Sequence, residues 1–222
     1  MSWFVSIDEK GYHLTSGGIF LVSLSAIVLL FLILLFNKNR EQNSDKKWSA
    51  KKLAFCSISI SFAIVTSFIS LFCLPFGGSV TMFSMLFICL IGYFYGPSIG
   101  IISGLTFGFM SLMFKPYIVH PIQIVLDYIL AFSALGISGF FANLKNGLVK
   151  GYLVGVSGRY LFSVLSGWIF FGQYAWDGWE ALPYSAVYNG AYLAAEAILT
   201  VIVIRMPIVY KGIDRIKETA LQ

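Results

Sequence analysis

Seven apolar runs of roughly membrane-crossing length dominate the sequence, at 17–36, 52–74, 82–96, 98–114, 121–142, 149–171 and 184–204. A hydrocarbon layer ~30 Å thick takes about 20 helical residues to cross, and only helices or closed barrels satisfy their own backbone hydrogen bonds there. With 58% hydrophobic and 11% charged positions among 222 residues, the chain lies outside the range of soluble domains. The expectation is an all-α integral membrane protein. The third and fourth runs are short and joined by "YGPS" (95–98), where Gly96 and Pro97 break a helix, so a six-helix count stays open.

The first run is too long for a secretory signal. Asp8, Glu9 and Lys10 precede it with mixed charge and no small-residue cleavage site follows, so a retained anchor is expected. Lys38, Arg40, Lys46, Lys47, Lys51 and Lys52 then cluster between the first and second runs. With seven crossings these six share one face with Lys145, Lys150, Arg205, Lys211, Arg215 and Lys217, against Lys10 and Lys115 on the other. The positive-inside rule puts the basic face and the C-terminus in the cytoplasm of a bacterial cell membrane, and the N-terminus outside. The net charge of +5 therefore marks a membrane face, and no nucleic-acid partner is expected. Cys56, Cys73 and Cys89 lack metal-ligand spacing and suit packing.

No GxxxxGK[ST] loop and no HExxH occur, so neither nucleotide hydrolysis nor metalloprotease chemistry is expected, nor any cofactor. The chain reads as a non-enzyme. Gly100, Gly104 and Gly108 form a ridge of small residues, as do Ala50 and Ala54, then Ser57 and Ser61; such ridges serve close helix packing or a partner's docking.

Polar groups fall on helical stripes inside the apolar runs. His120, Gln123 and Asp127 share one face; so do Ser185, Asn189, Tyr192 and Glu196, and again Arg159, Ser163 and Ser166. A buried charge in a membrane helix costs roughly 2.5–3.5 kcal/mol on insertion scales, so each needs a partner. By depth, Arg159 and Glu196 are expected to pair. Asp127 is left for a ligand that is cationic or donates hydrogen bonds. The segment 170–190 packs in Phe170, Phe171, Tyr174, Trp176, Trp179, Tyr184 and Tyr188, which suits an interfacial belt and also the stacking of a flat cationic heterocycle.

Four motifs carry a family resemblance: "PFGGSVT" (75–81), "YGPSIGIISG" (95–104), "HPIQIVLDYILAFSALGISG" (120–139) and "QYAWDGWEALPYSAVYNG" (173–190). In this order they resemble the thiamine-specific substrate-binding component of an energy-coupling-factor vitamin transporter. The resemblance covers roughly residues 50–205. It implies a six-helix bundle at 49–206, with 1–48 as an added transmembrane helix and basic linker and 207–222 as a cytoplasmic tail.

It also implies thiamine as ligand, bound near the outer surface between the last three helices. Asp127 would contact the aminopyrimidine with Tyr128 beside it, and Tyr184 and Asn189 match ligand contacts of the family. Where a member of that family has His and Trp, this chain has Ser163 and Phe171. The stripes add Gln123, Ser185, Tyr192 and Glu196 to the expected ligand set. The loop Pro75–Thr81, with Gly77, Gly78 and Ser79, would be a lid. Ala50 and Ala54, or Ser57 and Ser61, would dock a transmembrane coupling subunit that works with two cytoplasmic ATPases. Another small vitamin or a thiamine precursor is the nearest alternative ligand. A proton-coupled secondary transporter built on Asp127, Arg159 and Glu196 is the alternative class, and a non-transporting scaffold is the third.

Overall fold

The computed structural model describes residues 5–8, 11–14 and 49–221. The expected N-terminal transmembrane helix at 17–36 lies outside the described residues. Strands β1 (Val5–Asp8) and β2 (Gly11–Leu14) pair antiparallel, with Val5 opposite Leu14.

Six helices of the membrane class follow. They are α1 (Ala50–Phe68), α2 (Ser84–Tyr95), α3 (Pro97–Phe114), α4 (Pro121–Phe141), α5 (Gly147–Phe170) and α6 (Ala181–Arg205). Five of them are long and apolar enough to cross a membrane, and α2 is the short one. The chain is a multi-pass membrane protein. A seventh helix, α7 (Pro207–Leu221), forms where the sequence suggested only a tail. It packs against the ends of α2 and α4, where Tyr95 Oη donates to Ala220 O at 3.3 Å and Lys217 Nζ to Ala142 O at 3.2 Å.

The second apolar run does not form one helix. The α1 helix starts at an N-cap, Ser49, whose side chain accepts from Lys52 N at 3.1 Å, and it ends at Phe68. From there Ser70–Cys73 forms β3, which pairs antiparallel with β4 (Ser79–Thr81) in a hairpin. An uninterrupted apolar run carries no period that separates buried helix from strand. Pro75 decides it: the residue before a proline is driven to extended backbone, and Leu74 has φ −93° and ψ 153°.

The glycine ridge on α3 performs the packing role expected of it. A Cβ on Gly100 would lie 2.6 Å from Gly92 Cα on α2 and 2.8 Å from Gly136 Cα on α4. One on Gly104 would collide with Phe132 O, and one on Gly108 with Tyr128 O. Backbone therefore meets backbone along the α3–α4 seam, which fixes the depth and rotation of α4 and hence the placement of Asp127. Between α2 and α3, Gly96 adopts φ 89°, a conformation that costs glycine little, and Pro97 begins the next helix.

Candidate functional site

At the hairpin end of the bundle a cavity of about 210 Å³ opens between the hairpin, α4, α5 and α6. That volume suits one small organic molecule.

Asp127 stands in its wall, on a π-helical turn (Val125–Leu130) inside α4. Such a turn widens the helix by one residue and recurs at functional sites. Here it interrupts the regular 3.6 period of the helix. Gln123 stays on the Asp127 side, donating from Nε2 to Asp127 Oδ2 at 2.8 Å, and Ser166 Oγ on α5 donates to the same oxygen at 2.7 Å. Oδ1 has no hydrogen-bond donor among the described residues, and Asp127 lines the cavity. Gln123 is itself locked, accepting from Val119 N at 3.3 Å and donating to Tyr117 O at 3.2 Å. It orients the acid and has little left for a ligand.

His120 leaves the expected stripe. It is the N-cap of α4, where Nδ1 accepts from Ile122 N at 3.2 Å, and its exposed ring stacks on Phe170 at 5.0 Å. Tyr128 borders the cavity, but its hydroxyl serves the preceding loop: it accepts from Tyr117 N at 2.9 Å and donates to Lys115 O at 3.2 Å.

The mouth is aromatic. Tyr117 and Phe171 stack at 5.9 Å and 18°, Phe171 meets Tyr174 at 6.3 Å, and Tyr174 stacks on Phe76 of the hairpin at 4.3 Å and 28°. Tyr117 lies outside the spanning helices, and burial raises its phenol pKa, so it remains a protonated donor at neutral pH.

On α6, Tyr184, Ser185, Asn189 and Tyr192 all border the cavity, and Ser163 on α5 faces them. Asn189 is mostly engaged in joining the two helices. Its Nδ2 donates to Ser185 O at 2.9 Å and Ser163 O at 3.3 Å, and its Oδ1 accepts from Tyr192 Oη at 2.8 Å. Ser185 Oγ donates to Val164 O at 2.8 Å. Gly77, Gly78 and Ser79 of the hairpin also line the cavity. Ala50, Ala54, Ser57 and Ser61 are exposed on α1, away from it.

Glu196 corrects the sequence reading. It neither pairs with Arg159 nor borders the cavity. Its Oε2 accepts from Thr81 N at 3.0 Å and Thr81 Oγ1 at 2.7 Å, and its Oε1 from Met85 N at 3.4 Å and Ser84 Oγ at 3.5 Å. The reason lies in α2, whose 12 residues rise only about 18 Å. Its first turn therefore starts inside the bundle, where orphan N–H groups need an acceptor and find a carboxylate.

Arg159 borders the cavity with its guanidinium 4.4 Å from the Phe132 ring centroid, and its buried Nε has no hydrogen-bond partner among the described residues. Sequence reasoning assigned it to Glu196 and so missed it as a site residue. Tyr117 and Lys115 were also missed, whereas Tyr174 belongs to the aromatic segment already singled out. Only their aromatic or basic character marked them, and the loop that folds them inward has no period to read.

Comparison with known proteins follows the same lines. A family profile described as thiamine transporter protein matches residues 53–214. The thiamine transporter ThiT of Bacillus subtilis (strain 168) is 35% identical over 145 residues, covering 59% of this chain and 75% of the relative. A thiamine transporter ThiT of Lacticaseibacillus paracasei is 26% identical over 119 residues, covering 46% of this chain and 59% of that protein. A solved structure of ThiT from Listeria monocytogenes superposes with a TM-score of 0.60 at 30% identity, over 69% of this chain and 90% of that one.

Proposed function

We propose, for this chain, which belongs to the thiamine transporter protein family, the role of the subunit that captures thiamine at the outer membrane face. The observation that carries the reading is Asp127, whose Oδ1 has no donor among the described residues, in the wall of a cavity also lined by Tyr117, Phe171, Tyr174 and Phe76. Thiamine offers an aminopyrimidine whose amino group donates to a carboxylate and a thiazolium cation that suits aromatic faces. The Arg159 guanidinium, from a residue that also lines the cavity, suits a pyrimidine ring nitrogen. Gln123 and Ser166 orient the acid, and Tyr184, Ser163, Ser185, Asn189 and Tyr192 shape the remaining wall.

The hairpin end then faces outward and the α7 end the cytoplasm. In keeping with that orientation, Lys51, Lys52, Lys145, Lys150, Arg205 and the basic residues of α7 all lie at the α7 end. With no nucleotide-binding loop of its own, the chain delivers thiamine together with a transmembrane coupling subunit and two cytoplasmic ATPases. Small exposed residues on α1, at Ala50, Ala54, Ser57 and Ser61, suit close approach by such a partner helix.

Titration of the purified protein with thiamine tests this reading. Trp176 lies edge-on to Tyr184 at 5.2 Å, so binding should quench tryptophan fluorescence. Asp127→Asn should weaken binding by about 1.5–3 kcal/mol, the range of a charge-assisted hydrogen bond. Unchanged affinity in that variant would place the ligand elsewhere.

A further inference from the structure

The hairpin over the cavity is held to α6 at two places that differ in kind. At its tip, Tyr188 Oη accepts from Gly78 N at 2.9 Å and donates to Pro75 O. The phenol is half-buried, and the tip is otherwise held by the stack of Phe76 on Tyr174. Phe76 sits at φ 65° and Gly77 at φ 96°, which turns the Pro75–Gly77 segment toward the mouth. A Cβ on Gly78 would lie 2.7 Å from the Tyr188 hydroxyl, so only glycine lets the tip reach the phenol.

At the base of the hairpin, Glu196, only 2% exposed, gathers the four donors from Thr81, Ser84 and Met85 described above. Tyr188, Tyr192 and Glu196 are spaced by four residues and form one stripe along α6. About 12 Å of helix rise separates the two clasps, with cavity-bordering Tyr192 between them.

We infer that Tyr188 and Glu196 are positioning residues with divided tasks: Tyr188 is the releasable latch of the hairpin tip, and Glu196 is the fixed anchor of its base. The inference rests on the proposed capture of a ligand beneath the hairpin. Releasing the base strands up to four donors in a buried place, whereas the tip gives up two hydrogen bonds at a wet rim, where water replaces them. The tip therefore opens first, and the rate of ligand escape is set by the Tyr188 hydroxyl. Neither residue needs to touch the ligand.

Cys73 supplies a reporter within the hairpin itself. It lies on β3 opposite Ser79 and is exposed, whereas Cys56 and Cys89 are buried. A nitroxide on Cys73 of the full chain reads hairpin mobility, and stopped-flow tryptophan fluorescence with thiamine reads association and dissociation.

Tyr188→Phe should release thiamine about tenfold faster, as expected for two lost neutral hydrogen bonds partly replaced by water, with little change in association. Its Cys73 probe should already be more mobile without ligand, while thermal stability stays close to that of the parent. Gly78→Ala should behave alike. Glu196→Gln should leave the probe mobile even at saturating thiamine. If that variant does not fold, Thr81→Val removes one of the same bonds and should show the effect in weaker form.

Parental release rate and parental probe mobility in both Tyr188→Phe and Gly78→Ala would overturn the latch. A probe that thiamine immobilises normally in Glu196→Gln, or in Thr81→Val, would overturn the anchor. Should the parent bind no thiamine, the proposed ligand fails, and the ligand-free probe spectra still decide between latch and no latch.

Discussion

Asp127 and Arg159 border the same cavity, and each keeps an atom without a hydrogen-bond partner among the described residues. A cation beside the proposed site for a cationic ligand would by itself repel that ligand. Its retention makes sense if the ligand also brings an acceptor, as a pyrimidine ring nitrogen does. Arg159→Met keeps much of the length and the contact with Phe132 but removes the donor. It should weaken thiamine binding by about 1.5–3 kcal/mol in an equilibrium titration. Tighter binding in that variant would mean that Arg159 only repels and that the acceptor is met elsewhere. Asp127 was legible in the sequence because an acid in an apolar run is costly wherever it lies. Glu196 carries the same cost, yet its purpose was hidden: the partners are main-chain and hydroxyl groups more than 110 positions away, brought near by the shortness of α2.

At the scale of elements, the helices from α3 to α6 follow the apolar runs closely, because crossing length and flanking glycine or proline are properties of local sequence. The hairpin and the π-helical turn do not. The residues of β3 are as apolar as those of a helix end, and a π turn changes hydrogen bonding without changing composition. The glycine ridge was legible as packing, and the structure adds what it packs: α4, at the level of the acid. Gly108→Val would drive Cβ into Tyr128 O and push away the turn that bears Asp127. Overpacking of that kind costs about 1–3 kcal/mol or more. The melting temperature of the variant should fall, and its thiamine affinity should fall with it, although residue 108 donates nothing to a ligand. Normal affinity at a normal melting temperature would show that α3 and α4 can separate without disturbing the site.

Across the whole molecule, charge and polarity divide by end. The hairpin end carries the cavity and Lys115, whose Nζ donates to Ser67 O at 2.8 Å and lies 4.6 Å from the Phe68 ring centroid, tying the loop after α3 to α1. The opposite end carries the basic residues and is covered by α7, whose Lys217 lies 4.0 Å from the Tyr93 ring centroid. The cavity lies at the hairpin end. Of the three groups that a proton-coupled carrier could use, Glu196 is fully engaged with the hairpin and α2, and Asp127 and Arg159 both face the one cavity. The proposed capture at one face, with energy supplied by other chains, accords with that layout. Reconstituted alone in liposomes, the protein should bind externally added radiolabelled thiamine in proportion to its own amount and accumulate none above that level, with or without an imposed proton gradient. Addition of a coupling subunit with its two ATPases and internal ATP should convert binding into uptake. Gradient-driven accumulation by the chain alone would instead require a second opening at the α7 end, and would make Asp127 the proton-carrying group of a secondary transporter.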